Sequence, residues 1–438
     1  MTMMTEQEAK KLIDKILSYS TANEVSVNLS GTRSGNIRYA RNAVSTNGET
    51  DNLAVSVTSV FGKRSGTATG NEFDDASLQR MVRRSEEVAR LAPESPEYMP
   101  ELGPQQYSPG INFSENTARI DPVFRVDAVL ASIQECMANK TTAAGFLQDT
   151  SGFVAMGNNK GLFGYNQISS GEFTVTARTD DEKGSGYGAQ YFTDAGLLNT
   201  KATTETAVKK ALASRHTKEL KPEKMTVILE PQAAYGLLSL LTNAMDARTA
   251  DEGRNFFGKK GSGNRIGDQL FSEKVSIYSD PFNAQNPGSP FAPDGRPQKK
   301  ISWVEKGVLK NLSYSRYWAA QKEKEAVPPP SGFIVEGTEL TLQDLIKTTE
   351  KAVLVTRLWY TRLVDPQTLV YTGLTRDGTF LVENGEIKHA IKNFRFNESP
   401  ATMLANLEAV GKPVRIENSM IPPMRIKAFN FTSLSDAV

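Results

Sequence analysis

The chain has 438 residues, a length that suits two or three domains and leaves enough apolar surface for their cores. Its 51 Lys plus Arg residues balance 50 Asp plus Glu, so we expect no general attraction to nucleic acid or to anionic membranes. A single cysteine excludes an intrachain disulfide and any paired-cysteine metal motif. Without a signal-like start or an apolar run of about 18 residues, the chain is predicted to be soluble and cytoplasmic.

The first part of the chain is predicted to form an α/β domain. Apolar side chains recur at helical spacing from Glu6 to Tyr19. Alternating apolar residues predict three strands, at residues 24–29, 36–39 and 53–60. Asp74 is placed to cap a following helix, and the prolines from Pro93 to Pro104 then interrupt regular structure. We therefore place the first domain at residues 1–104.

The second predicted domain, residues 105–221, combines helices with glycine-punctuated strands. An apolar helix around Val126 to Met137 carries Cys136, which we interpret as a small buried thiol because no histidine lies nearby in sequence to activate it. The acidic run from Asp180 to Glu182 adjoins a glycine and is expected at an exposed hairpin tip. A helix from Thr204 to Ser214 closes this segment.

The third predicted domain, residues 222–438, is expected to be rich in antiparallel hairpins. It opens with a strand at Lys224 to Leu229 that passes directly into a helix at Pro231, a residue suited to the first helical turn. Asp377-Gly378 and Asn384-Gly385 are dipeptides that favour tight hairpins, and each lies between strand-like runs. Taken together, the three segments predict an α+β fold with mixed and antiparallel sheets.

Several segments spread over nearly the whole chain carry a family resemblance. The main ones are Gly62 to Ala68, Ile301 to Asn311, Val364 to Pro366 and Val382 to Glu386. In their order and spacing, the sequence resembles the TldD/PmbA family. Its members are named modulators of DNA gyrase and are better understood as subunits of a cytosolic zinc peptidase complex. The resemblance implies proteolysis as the process in which this chain takes part.

The resemblance also implies where a catalytic metal would lie in active members. There, the helix after the equivalent strand carries HExxxH and a cysteine near the carboxyl end completes the zinc site. The imidazoles and thiolate hold the metal while the glutamate takes a proton from its water. Aligned to this motif, the chain has Ser239, Leu240 and Ala244, and Val414 to Phe431 holds no cysteine. We therefore predict no catalytic residue, metal or cofactor here, as in the non-catalytic PmbA (TldE) type.

The histidine count supports this prediction. The chain has two histidines, His216 and His389, and neither belongs to an HExxxH sequence. His216 follows a predicted helix end, where an interaction with free carbonyl groups is expected. His389 lies in a predicted strand after the Asn384-Gly385 turn, where we expect an exposed or cross-strand role.

The helix that begins at Pro231 has an apolar stripe and is expected to pack as ordinary core. Ser239 and Asn243 stand one turn apart on it and could offer hydrogen bonds to a peptide backbone. Arg357 and Tyr360, on a predicted strand, could present an edge to an extended peptide. The alternative for these two large side chains is that they cover the sheet or fill a subunit interface.

A glycine-rich basic loop from Gly258 to Gly263 invites comparison with phosphate-binding loops. It lacks the lysine followed by Ser or Thr that ends a Walker frame, so an ordinary flexible loop is the favoured interpretation. We likewise find no histidine or acid placed to activate Ser239 as a nucleophile.

Two functions stay open at this point. In the first, the chain is a non-catalytic subunit that pairs with a TldD-type catalytic subunit and helps to position peptides or unfolded segments. Alternatively, it is a stand-alone homodimeric binding or scaffold protein that has left proteolysis. The near-neutral charge favours neither a nucleic-acid partner nor a membrane, and it offers no support for a direct action on gyrase.

Overall fold

The computed structural model describes residues 3–261 and 263–435 and confirms the α+β fold. Within these residues the strands form three sheets, one of which comes from the first 192 residues and two from the remainder of the chain. Among the described residues, no helix combines the length and the apolar character that crossing a membrane requires.

The first sheet is antiparallel throughout and has the strand order β3-β2-β1-β4-β5-β6. Its strands are β1 (Glu24–Ala40), β2 (Ala43–Phe61), β3 (Arg64–Gly70), β4 (Thr141–Asn158), β5 (Phe163–Thr179) and β6 (Ser185–Phe192). The acidic run Asp180 to Glu182 forms the exposed turn between β5 and β6, as predicted. The predicted boundary at residue 104 falls between β3 and β4, so both predicted domains contribute to this one sheet.

Helices cover one face of this sheet. They are α1 (Glu6–Ser18), α2 (Asp75–Leu91), the short α3 (Glu115–Ala118), α4 (Pro122–Ala138) and α5 (Thr200–Ala213). Two apolar clusters result, because α1 and α2 pack over one end of the sheet and α4 and α5 over the other. Cys136 on α4 is fully buried, as predicted, and burial raises the pKa of its thiol.

A buried ion cluster fixes α4 to the sheet. Arg125 donates from Nε to Asp149 at 2.6 Å and from Nη1 to Glu49 at 2.7 Å. The guanidinium lies directly against Gly35, where an added Cβ atom would come within 1.8 Å of Nη2. Only a residue without a side chain therefore fits at position 35.

The remaining strands form two sheets. The second sheet has the order β10-β9-β8-β11-β18-β17. Its strands are β8 (Ile277–Ser279), β9 (Ile301–Glu305), β10 (Val308–Leu309), β11 (Ile334–Val335), β17 (Val414–Ile416) and β18 (Ser419–Ile421). The third sheet comprises β7 (Lys224–Leu229), β12 (Lys351–Asp365), β13 (Val370–Glu383), β14 (Glu386–Ala390), β15 (Asn393–Glu398), β16 (Leu407–Val410) and β19 (Met424–Ser435).

In the third sheet, β12 pairs with both β7 and β13, so β12, β7, β19, β15 and β13 close into a ring of five strands. The helices of this part are α6 (Pro231–Asn243), α7 (Ala247–Asp251), α8 (Arg316–Gln321), α9 (Leu342–Lys347) and α10 (Pro400–Ala405). The largest apolar core of the chain lies among these sheets and α6.

One of the two predicted hairpin turns is confirmed and the other is wrong. Asn384-Gly385 connects β13 to β14, with Glu383 opposite Glu386. Asp377-Gly378 instead lies inside the continuous strand β13. Asp377 and Gly378 have positive φ angles of 56° and 122°. They form a β-bulge, because the register between β13 and β12 shifts at this point. Dipeptides whose residues adopt positive φ angles therefore occur in β-bulges as well as in hairpin turns.

The basic loop around Gly258 is ordered by ordinary local contacts. Lys259 forms an ion pair with Asp268 at 3.0 Å, and its backbone N–H donates to the carbonyl of Gly263. Ser262, part of the compared glycine-rich pattern, lies outside the described residues. The Lys259 charge is thus already partnered by a carboxylate.

Candidate functional site

Helix α6 follows β7 with a single residue, Glu230, between them. Pro231 occupies the first helical turn, as predicted, and the Glu230 side chain forms no capping hydrogen bond. The predicted apolar stripe is confirmed, since its members are buried in the core: Ala234, Leu237, Leu238, Leu241 and Met245. Packing alone therefore accounts for the buried face of this helix.

The three positions aligned with a zinc motif carry no donor set for a metal. Ser239 offers one partly buried hydroxyl, Leu240 packs against the apolar core, and Ala244 caps the carboxyl end of α6. Across residues 3–261 and 263–435, no group of three or more His, Cys, Asp and Glu side chains is arranged to hold a metal ion. These residues do not fit a catalytic zinc ion of the HExxxH type.

Neither histidine lies on α6. His216 is exposed beyond the end of α5, and His389 lies in β14, where its Nδ1 is 3.1 Å from the carbonyl oxygen of Ala390. Neither residue forms a hydrogen bond with Ser239 within the described part of the chain. The absence of an activating partner for Ser239 stays a prediction.

The four candidate groove residues lie on two neighbouring elements, α6 and β12. Ser239 and Asn243 are on the outward side of α6, and Asn243 is exposed. Helix and strand are close at Gly236, where a Cβ would lie 3.7 Å from that of Leu358. No hydrogen bond or ring contact in the described residues joins either α6 residue to Arg357 or Tyr360. Whether the four act on one peptide stays a prediction.

Arg357 takes part in an interaction between the first and third sheets. Its guanidinium lies over the Tyr187 ring at 4.2 Å, and its Nε is 2.5 Å from Oδ2 of Asp377 in a geometry that falls outside that of a hydrogen bond. Asp377 is fully buried and also accepts a hydrogen bond from Ser185 on β6. Through these contacts, Arg357 helps to hold β12 and β13 against β6.

Tyr360 is different, because it lies on a solvent-exposed part of the β12–β13 pair. We call residues 357–365, together with their partners 370–376, the arm. Tyr360 is 60% exposed, contacts Trp359 at 5.5 Å between ring centroids, and receives the Arg362 guanidinium over its ring. These exposed aromatic and arginine side chains have the composition of a protein-binding surface.

A cleft of about 420 Å³ lies beside the amino end of α6, and the sequence interpretation missed it. Its walls come from β6, α5, the start of α6 and β17. Lys210 on α5 donates to Glu230 across 2.6 Å, and the Thr356 hydroxyl donates to the other oxygen of the same carboxylate at 3.2 Å. Its α6 residues, Pro231 and Gln232, belong to the first turn of the helix. No motif in the sequence marks it, because the contributing segments are far apart in the chain.

Acidic and tyrosine side chains gather next to this cleft. The Tyr235 hydroxyl on α6 donates to Glu417 at 2.7 Å. Burial raises the pKa of the Glu172 carboxyl on β5, and the charge of Glu417 raises it further. Burial likewise raises the pKa of Tyr191 on β6. The region is partly shielded from water, so hydrogen bonds made there gain strength.

Solved structures with the same fold span nearly the entire chain. A candidate modulator of DNA gyrase from Thermotoga maritima has 17% identity and a TM-score of 0.87, covering 97% of this chain and 100% of its own. TldE from Thermococcus kodakarensis has the same identity and TM-score, covering 97% and 99%. A second candidate gyrase modulator, from Bacteroides thetaiotaomicron, has 18% identity and a TM-score of 0.86, covering 99% and 100%. At these identities the likeness shows the fold.

No curated protein gives a match to this sequence. Three family models do match: PmbA/TldA metallopeptidase domain 1 over residues 25–89, the central domain over residues 117–215 and the C-terminal domain over residues 222–433. Together they cover most of the chain in the order expected of one family. The chain therefore belongs to the PmbA/TldD metallopeptidase family.

Proposed function

We propose that this chain is a non-catalytic, TldE-like subunit of a cytoplasmic metallopeptidase complex. A TldD-type partner with an intact HExxxH helix supplies the metal and the general base, while this chain completes the complex and helps to hold peptides or unfolded segments. The observation that carries the proposal is α6 itself. It keeps the family position after β7, yet it presents Ser239, Leu240 and Ala244 where metal ligands and base would stand.

The retained packing around α6 supports a role that survived the loss of chemistry. Its amino end borders the cleft of about 420 Å³, and its outward side carries Ser239 and the exposed Asn243. The Lys210–Glu230 pair at the cleft wall is partly buried, and because such pairs add little net stability, it favours a role for the cleft beyond folding. A peptide-holding role gives these polar groups a purpose.

The exposed arm supports assembly with another subunit. Trp359 and Tyr360 are 40% and 60% exposed, and the nearby Leu363 and Val364 are exposed as well. Exposed apolar side chains clustered with arginines mark protein contact sites more often than free surface. The partner that we propose is the catalytic subunit.

The proposal is tested by purifying the chain alone and with a TldD-type protein from the same cell. We expect the isolated chain to hold no stoichiometric zinc and to leave unstructured peptides intact. The pair should co-elute, carry zinc on the partner, and cleave peptides in a chelator-sensitive manner. A control pair uses a partner whose HExxxH glutamate is changed to glutamine, which should assemble without cleavage.

Two results would count against the proposal. Stoichiometric zinc and chelator-sensitive cleavage by the isolated chain would show that it has its own catalytic site. A stable homodimer that ignores every HExxxH-bearing family member would instead favour the stand-alone binding or scaffold function.

A further inference from the structure

A small cavity lies where distant segments of the third predicted domain meet. It has a volume of about 30 Å³, enough for one small ion or one water molecule. Its walls come mainly from the loop after β8, from the proline-rich link before β11 and from Asn418 in the turn between β17 and β18. The lining contains no residue of α6 and none of the arm, so the cavity is separate from the surfaces described above.

Asn286 lines this cavity with an unpaired side-chain oxygen. The side chain is only 7% exposed, and its Nδ2 donates to the backbone carbonyl of Asn418 at 2.9 Å. Because a carbonyl can only accept, the amide cannot be turned around, and Oδ1 must face away from Asn418. That oxygen is buried and accepts no hydrogen bond from the described residues. A buried amide oxygen is normally paired, so a donor or a cation belongs beside it.

Two donors in the cavity wall are already engaged with other groups. Trp303 donates from its indole N–H to Oγ of Ser279 at 2.8 Å, and that hydroxyl donates to the carbonyl of Gly332 at 2.6 Å. Three prolines also line the cavity, and their backbones have no N–H to donate: Pro281, Pro287 and Pro329. The wall is therefore richer in oxygen acceptors than in hydrogen-bond donors.

The cavity also has a negative charge that no basic side chain balances. Asp280 is partly buried, it is the charged residue of the lining, and it forms no ion pair within the described part of the chain. Its Oδ1 accepts from the backbone N–H of Phe282 at 3.0 Å. The ammonium group of Lys300 lies over the ring of Tyr278 instead, at 4.2 Å. A partly buried carboxylate beside an unpaired amide oxygen favours a positive charge in the cavity.

We propose that this cavity binds a monovalent alkali-metal cation, K⁺ or Na⁺, through Oδ1 of Asn286, the Asp280 carboxylate and further oxygens of the wall. Hard cations take oxygen ligands, and carbonyl oxygens can replace the hydration shell of K⁺. The lining has no His or Cys side chain of the kind that Zn²⁺ prefers. One carboxylate matches one positive charge, whereas a divalent ion would leave a charge unbalanced. The site is independent of the proposed subunit role.

The cation holds together segments that are far apart in the sequence. Asn286 belongs to the loop after β8, and its partner Asn418 donates from Nδ2 to the carbonyl of Ser331 at 2.7 Å. The residue before Asn418 is Glu417, which accepts a hydrogen bond from Tyr235 of α6. The unfolded chain has no such set of converging oxygens, so binding of the cation stabilises the folded chain.

Urea unfolding in different salts tests for the cation. The isolated chain is compared in potassium, sodium and choline chloride at one ionic strength, because the choline ion is too large for this cavity. At about ten times its dissociation constant, the bound cation should raise the folded-to-unfolded ratio about elevenfold over choline. The cation that saturates at the lower concentration is the preferred one. Equal stability in the three salts would mean that the cavity holds only water and would overturn the inference.

Two variants locate the site. Asp280→Asn removes the charge and keeps an oxygen for the N–H of Phe282, so the difference between potassium or sodium and choline should disappear. Glu336→Gln is the matched control, because Glu336 is an exposed carboxylate that follows β11 and lies outside the lining. This variant should keep the difference. A difference that persists in Asp280→Asn would place the cation elsewhere in the chain.

Asn286→Asp changes the charge of the site and should change its preferred ion. The variant places a second carboxylate at the cavity and loses the donor to Asn418, so it should be less stable than the parent in potassium or sodium. Calcium at about 10 mM should raise its folded-to-unfolded ratio about tenfold, because two carboxylates match a divalent ion, and should have little effect on the parent. Equal effects of calcium on the variant and the parent would contradict the cation site.

Discussion

Lys210 on α5 donates a hydrogen bond from Nζ to Oε2 of Glu230, the residue directly before α6, across 2.6 Å. The two side chains are 16% and 13% exposed, so the ion pair is only partly screened by water. It joins α5, a helix that packs on the first sheet, to the amino end of α6. The pair thereby links the two helices at the wall of the cleft.

A double-mutant cycle measures this coupling. We expect Lys210→Met and Glu230→Gln to show a coupling free energy of about 1 to 2 kcal/mol in urea unfolding, as contacting charged residues do. The control cycle uses Lys201 and Glu205, an exposed pair on α5 with a nitrogen–oxygen distance of 3.9 Å, and should give less than about 0.5 kcal/mol. Equal couplings in the two cycles would show that the cleft pair is no more than a surface contact.

A second prediction concerns the buried Arg125 cluster. Gly35→Ala places a Cβ where the guanidinium lies, so Arg125 must leave Asp149 and Glu49, which stay buried or partly buried without their partner. We expect a loss of about 3 kcal/mol in the free energy of unfolding. Gly48→Ala is the matched control on the next strand, because its nearest atom would be 3.7 Å away. A similar small loss for both variants would contradict this account.

The elements around α6 could be predicted well from the sequence because local signals agree there. The β7 strand, Pro231 and the apolar stripe ending near Met245 all point to one strand–helix unit, and the structure contains it. Asp377-Gly378 could not be placed correctly, since its preference for positive φ is satisfied equally by a hairpin turn and by a bulge. The choice depends on β12, a strand that starts 26 residues earlier in the chain.

The sequence patterns did not predict the cleft. Its lining joins β6, α5, the start of α6 and β17, which are far apart in sequence, and nothing in the residues of β6 states that its neighbour on one side is missing. Edge position is a property of the whole sheet. The candidate groove residues were chosen from types alone, and the structure shows Arg357 already engaged with Asp377 and Tyr187.

The arm provides a prediction about assembly. Changing Trp359 and Tyr360 together to alanine should weaken binding to the proposed TldD-type partner by about tenfold or more, because aromatic side chains dominate interface energies. The free energy of unfolding of the isolated chain should change less than the binding free energy, since Trp359 and Tyr360 are 40% and 60% exposed. Leu91→Ala, at an 87% exposed position on α2, is the control. Sedimentation of the mixed chains gives the affinity, and an unchanged value would remove the arm from the interface.

The last prediction uses the half-buried acid beside the cleft. Burial and the charge of Glu417 raise the pKa of Glu172 above its ordinary value of 4.5, so the folded chain holds this proton more tightly than the unfolded chain does. Stability is therefore lost as the pH rises from 4.5 through the raised pKa. Glu172→Gln should stabilise the chain at about pH 7 and have no such effect near pH 4, as measured by urea unfolding at both pH values.

Glu49→Gln gives the opposite sign in the same experiment. The hydrogen bond from Arg125 lowers the pKa of Glu49, so its contribution is present above pH 4.5 and disappears as the pH falls through the lowered value. This variant should be destabilised at about pH 7, and its difference from the parent should shrink in acid. At neutral pH the Glu172 carboxylate opposes folding and the Glu49 carboxylate favours it, so the two variants should change the free energy of unfolding in opposite directions. A change in the same direction would mean that Glu172 is hydrated rather than buried against Glu417.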